Sequence, residues 1–118
     1  MIKSLATKVA TSAEINQRTQ VGTDCIVGSG SKIDERCSVK KSIIGQHCTI
    51  GKNCKISNSV IMGHVVIEDM VVLHGCIVCH NSTIHEKSNL KDVVVSTGYR
   101  VEANSVIKNE VLEDYHDD

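Results

Sequence analysis

Residues 44–61 read IGQHCTIGKNCKISNSVI, and their aliphatics Ile44, Ile50, Ile56 and Ile61 are spaced six, six and five. The same spacing runs upstream through Val39, Ile33 and Val27. Downstream it runs through Ile67, Leu73, Val78, Ile84, Leu90, Val95, Val101 and Ile107. Fifteen positions thus repeat every 17 residues, and none is polar. Self-similarity at such a period marks stacked repeats. An amphipathic helix would repeat every 3.6 residues and a single strand every two. An inward side chain every six residues suits a chain that runs a short strand, turns, and does so three times per coil. The next coil then stacks about 4.8 Å away through parallel pairing.

The residues between the aliphatics support this reading. On two sides the fourth residue after each aliphatic is small or β-branched: Ser31, Cys37, Cys48, Cys54, Val65, Val71, Ser82, Ser88 and Ser105, with Tyr99 departing in the last coil. On the shortened third side the equivalents come one step earlier, at Ser42, Ser59, Cys76 and Val93. These are expected to be inward corner residues. Gly28, Gly45 and Gly51 follow an aliphatic where a tight corner would use glycine. The absence of Phe and Trp fits a narrow interior without room for rings. Aliphatic, then glycine or polar, then small: this hexapeptide pattern resembles hexapeptide-repeat proteins. The resemblance implies an all-β fold, the left-handed parallel β-helix, here with about five 17-residue coils.

The chain of 118 residues reads as one such domain with two different ends. Residues 21–108 carry the coil. Residues 1–20 are expected to form a short helix or linker, since Ile2, Leu5, Val9 and Ala13 stand at helical spacing. Residues 109–118, NEVLEDYHDD, read as an acidic tail that caps the last coil and frays. Thirteen Lys and Arg against fourteen Asp and Glu leave a net charge of −1, which points to neither nucleic acid nor an anionic membrane as partner. Neither a signal peptide nor a membrane span is visible. Six Cys, mostly at small core positions, suggest free thiols in the cytosol.

Several motifs lose their appeal once the register is known. Cys76-Ile77-Val78-Cys79-His80 matches the haem-attachment pattern and contains C-x-x-C. In this register Cys76 points in and Cys79 out, so the thiols lie on opposite surfaces of one thin wall. Cys37 and Cys54 stand one coil apart, where a disulfide is conceivable but a small-residue ladder continued by Val71, Ser88 and Ser105 suffices. His47 and His64 should stack on one corner. Two His could begin a metal site, yet a catalytic zinc usually takes three protein ligands, and the column continues with Asn81 and Gly98. Asn81-Ser82-Thr83 matches a glycosylation sequon but places Ser82 in the core. No cofactor or metal is expected, and no catalytic residue.

The outward positions are more informative. On the side carrying Ile33, Ile50, Ile67, Ile84 and Val101, and on the side carrying Val39, Ile56, Leu73, Leu90 and Ile107, outward residues are mainly polar or charged. On the remaining side the outward residues before each aliphatic are Ile26, Ile43, Val60, Ile77 and Val94, without exception. Those after it, Gly28, Gly45, Met62, Cys79 and Ser96, carry no charge. Five stacked rungs make an apolar stripe about 19 Å long. Such a stripe marks a buried interface more readily than free surface. Strand propensity alone would not leave the other two sides polar. Ile26, Ile43, Val60, Met62, Ile77 and Val94 are therefore the candidate partner interface.

The stretches IDERCSVKKSIIG (33–45), ISNSVIMGHVVIED (56–69), CIVCHNSTIHE (76–86) and GYRVEANSVIKNEVL (98–112) resemble the C-terminal hexapeptide-repeat domain of the gamma subunit of eukaryotic translation initiation factor 2B. The resemblance covers Val21 to Leu112. In that family a nucleotidyltransferase-like domain precedes the coil. The factor exchanges guanine nucleotide on initiation factor 2, and the gamma subunit pairs with the catalytic epsilon subunit without itself catalysing exchange. The resemblance thus implies a non-catalytic cytosolic assembly domain. Its partners would be the epsilon subunit, other subunits of the factor and initiation factor 2, with self-association of the isolated domain also open. Two alternatives stand beside it. One is a hexapeptide-repeat enzyme, either an acyltransferase or a zinc carbonic anhydrase. The other is the C-terminal domain of a sugar-nucleotide pyrophosphorylase. The coil from Val27 to Ile107 carries no insertion that could build an acetyl-coenzyme A pocket.

Overall fold

The computed structural model describes residues 7–114. Among these residues nineteen strands of two or three residues wind into a parallel β-helix of about six coils, the left-handed hexapeptide-repeat architecture. Three sheets run its length. The first has seven strands, from Lys8–Val9 through Ile26–Val27, Ile43–Ile44, Val60–Ile61, Ile77–Val78 and Val94–Val95 to Val111–Leu112. The second has six, from Glu14–Ile15 to Arg100–Val101, and the third six, from Gln20–Val21 to Val106–Lys108. All pairings are parallel, as in Ile43↔Val60, Ile50↔Ile67 and Leu73↔Leu90, each joining residues 17 apart. The aliphatics from Val27 to Val101 are 2% exposed or less. Ile107, on the last described rung of its sheet, is only partly buried.

Small polar residues inside the coil are tolerated because each finds partners. Ser42 Oγ donates to Lys40 O at 2.7 Å and accepts from the Ser59 N–H at 3.1 Å. Ser59 repeats this one rung on, donating to Ser57 O at 2.8 Å and accepting from the Cys76 N–H at 3.1 Å. A buried hydroxyl satisfied on both counts costs little. Cys occupies the same positions because it is as small, and its thiol also reaches a carbonyl, as Cys48 does to Met62 O at 2.9 Å.

The glycines act differently from what the sequence suggests. Positive φ falls on the later corner residues, such as His47 (56°), Asn53 (57°) and Asn58 (49°), and no β-branched residue takes it. Gly28 and Gly45 are instead required by close approach. A Cβ at Gly28 would lie 2.7 Å from the Gly45 carbonyl carbon, and one at Gly45 2.8 Å from that of Met62.

Both ends carry more coil than expected. From Lys8 onward the chain is strand, not helix; Ile2 and Leu5 lie outside the described residues. Val9, Ile15 and Val21 pair with Val27, Ile33 and Val39, 18 residues on. This first coil lacks the shortened side, so a 17-residue frame carried back from Val27 lands on Ala10, Asn16 and Gly22 and misses it. The backbone is satisfied by the next coil: Lys8 N–H reaches Cys25 O and Ala10 N–H reaches Val27 O, both at 2.9 Å. A helix this short could not compete with that pairing. At the other end Val111–Leu112 pairs with Val94–Val95, so the repeat enters the segment read as tail.

The register makes neighbouring residues unequal. Ile44→Ala should cost about 2–5 kcal/mol through lost contacts and a cavity. Ile43→Ala, one residue earlier and outward, should cost less than about 1 kcal/mol. Urea unfolding of the two variants measures the contrast, and equal losses would refute the register.

Candidate protein interface

The first sheet shows one continuous apolar face. Ile26, Ile43, Val60 and Ile77 are 39%, 43%, 37% and 41% exposed, although each precedes a buried residue. Val94 and Met62 are half-buried in the same face. The six residues marked as the interface therefore lie together on one surface. Strand pairing stacks Ile26, Ile43, Val60, Ile77 and Val94 directly. Val111 adds a sixth rung at 61% exposure, which the acidic surroundings of that segment concealed in the sequence. Lys8 closes the stripe at one end. Two shallow grooves flank its middle and share Ile43 and Val60. One also touches Asp24, Ile26, Lys41 and Asn58; the other touches Gly45, Met62, His64 and His80.

The other two faces lack such a stripe. On the second sheet Val66 is exposed but stacks between Thr49 and Thr83. On the third sheet Val106, 74% exposed, stacks on Asn89. The second sheet sets complementary groups on neighbouring rungs: Lys32 Nζ stands 4.0 Å from Glu14 Oε2, and His85 Nδ1 2.8 Å from Glu68 Oε1. At the adjoining corner Glu35 lies 3.5 Å from Arg18 and 4.0 Å from Lys52.

The residues that invite chemistry are dispersed. His47 and His64 stack as expected, ring centroids 5.2 Å apart and planes 22° from parallel. Among the described residues no three His, Cys, Asp or Glu converge as metal ligands. His80 Nδ1 accepts the Gly63 N–H at 3.1 Å, and His74 Nδ1 meets Ser57 Oγ at 2.7 Å. Cys76 is buried while Cys79 is half-buried on the outward side, which separates the two thiols of the C-x-x-C. Ser82 of the sequon is fully buried. Burial pushes the Cys48 and Cys76 thiols above their ordinary value. Cys37 and Cys54 interact one rung apart. The hydrogen bond from Cys54 draws Cys37 down to about 7 against the effect of burial, while the same contact and burial drive Cys54 up.

Comparison with known proteins gives both a family and a fold. The model of the EIF2B subunit epsilon LbH domain matches residues 7–107. The translation initiation factor eIF2B subunit gamma of Dictyostelium discoideum is 53% identical over 30 residues, a stretch covering 25% of this chain and 7% of that protein. Among solved structures, a mutant perosamine N-acetyltransferase from Caulobacter crescentus in complex with CoA and GDP-perosamine superposes with a TM-score of 0.86 at 14% identity. The alignment covers 92% of this chain and 53% of that one. A mutant of AntD, an N-acyltransferase from Bacillus cereus in complex with dTDP and coenzyme A, gives 0.83 at 17% identity, over 91% and 76% of the two chains. At such identities the likeness concerns the fold alone.

The positions of the thiols have a direct readout. At pH 7 a thiol reagent should modify Cys79 quickly and the five buried cysteines only as the coil opens. Cys37 belongs to the slow group despite its lowered pKa, since a thiolate needs access as well as charge. Mass spectrometry of the labelled peptides checks this; rapid labelling at Cys76 would show that the wall of the coil is open there.

Proposed function

Because the chain belongs to the family of eIF2B left-handed β-helix domains, we propose that it is the coil of a gamma subunit of that translation initiation factor and that it works by assembly rather than catalysis. The gamma assignment is supported by the 30-residue match and by the exit segment 98–112. The partner is the epsilon subunit, with other subunits of the factor in reach, and the setting is the cytosol. What carries the reading is the uncharged stripe from Ile26 to Val111, one aliphatic on each of six rungs. Six side chains of this exposure present roughly 400 Å², or about 10 kcal/mol gross on burial. Association costs then take a large part of this. That area is about half of one side of a standard interface, so the flanking grooves, Met62 included, complete it. No nucleotidyltransferase chemistry is assigned to these residues. An enzyme reading is less well supported. The coil runs from Lys8 to Leu112 without a looped-out insertion, and the acyltransferases resemble it in fold only.

Replacing Ile43 and Ile77 by Asp would put two charges into the apolar contact without touching the core. The double variant should keep the thermal transition of the parent but bind the epsilon subunit at least about 100-fold more weakly, as several kcal/mol requires. Co-purification and titration of both forms measure this. Equal binding would move the contact to another face, and stronger self-association than epsilon binding would make a second copy the partner.

A further inference from the structure

The third sheet breaks the rule that the second obeys. Its outward column Ser57, His74, Lys91 and Lys108 is in direct register, one residue per rung. Rungs lie about 4.8 Å apart, so His74, Lys91 and Lys108 hold like-signed or cation-capable groups directly above one another. Such stacking is unfavourable in a sheet. The second sheet avoids it by placing Lys32 on Glu14 and His85 on Glu68. Lys40 and Lys55 stand on the same third sheet. All five are exposed, and none makes an ion pair among the described residues. The adjoining carboxylate, Asp92, lies over Gly75 rather than against a lysine. Ser57 Oγ fixes His74 through Nδ1 at 2.7 Å, which leaves Nε2 free for an outside group.

We propose that this face binds an acidic, extended segment of a protein partner, its carboxylates bridging the column from His74 to Lys108. A strand laid along the coil axis would present a side chain every ~6.7 Å on one face, within reach of flexible lysines on ~4.8 Å rungs. Carboxylates are favoured over nucleic acid by what the face lacks. It carries no Phe, Tyr or Trp to stack a base, and its one imidazole, His74, is tied through Nδ1 to Ser57. Its outward cations are lysines, point charges on flexible stems, with no arginine fork to grip phosphate in a bidentate way. Occupation would relieve the stacked charges.

Fluorescence anisotropy with labelled deca-glutamate tests this, against deca-uridylate and a neutral Gly/Ser decapeptide, at low and moderate salt. The parent chain should bind deca-glutamate saturably and bind the other two at least tenfold more weakly. Lys91→Gln with Lys108→Gln should lose at least fivefold in affinity while melting no lower than the parent, since neutralisation removes the repulsion. Lys32→Gln with Arg100→Gln, an equal charge change on the second sheet, should stay within about twofold. Absent or unsaturable binding, an equal loss in the second-sheet variant, or tighter binding of deca-uridylate would each overturn the proposal.

Discussion

Every residue of the central coils is held between two others, those 17 before and 17 after it, at the spacing of a parallel ladder. This vertical contact governs the rest. An interior about one side chain wide admits one aliphatic per side per coil. A small corner residue must suit those directly above and below it. Gly28 is glycine because Gly45 and its carbonyl sit where a Cβ would go. Ser42 is serine because its hydroxyl can serve its own rung and the next. The same contact organises the surface, where a column can be apolar, charge-paired or like-charged, but each choice is repeated or answered one rung on.

The three faces use that freedom differently. The first is aliphatic from rung to rung and closes with a charge only at Lys8. The second sets Lys32 on Glu14 and His85 on Glu68, and places its exposed Val66 between threonines. The third stacks cations. A solvated coil would need only the second arrangement. The first and third each leave an interaction unmade, one apolar and one electrostatic. On a protein of the eIF2B β-helix family, unmet surfaces of these two kinds are what the proposed assembly role would use.

Much of this was legible in the sequence, because the 17-residue period assigns inside and outside to each residue from Val27 to Ile107. The buried wall position of Cys76, the outward Cys79, the His47–His64 stack and the stripe all follow from register. What the period could not show is where it changes. One extra residue before Val27 hid the first coil and made Val9 and Ala13 look helical. Val111 was lost among acidic neighbours although it stands 17 residues after Val94. The role of Gly28 and Gly45 is not legible locally, because close approach between coils is a property of the stacked structure and not of the turn. The register places Lys40, Ser57, His74, Lys91 and Lys108 outward on one side, but a net charge near zero, averaged over faces that the fold keeps apart, gives no sign that they form a column of cations.

The central claim is that the first face is the one that meets the proposed epsilon partner. Methyl NMR of the Ile- and Val-labelled chain with a soluble paramagnetic agent tests it most directly. Free, the methyls of Ile26, Ile43 and Ile77 should be broadened along with those of Val66 and Val106, all being exposed. On addition of the epsilon subunit the first three should become protected while Val66 and Val106 stay sensitive. Protection of Val66 or Val106 with Ile43 and Ile77 still broadened would contradict the account.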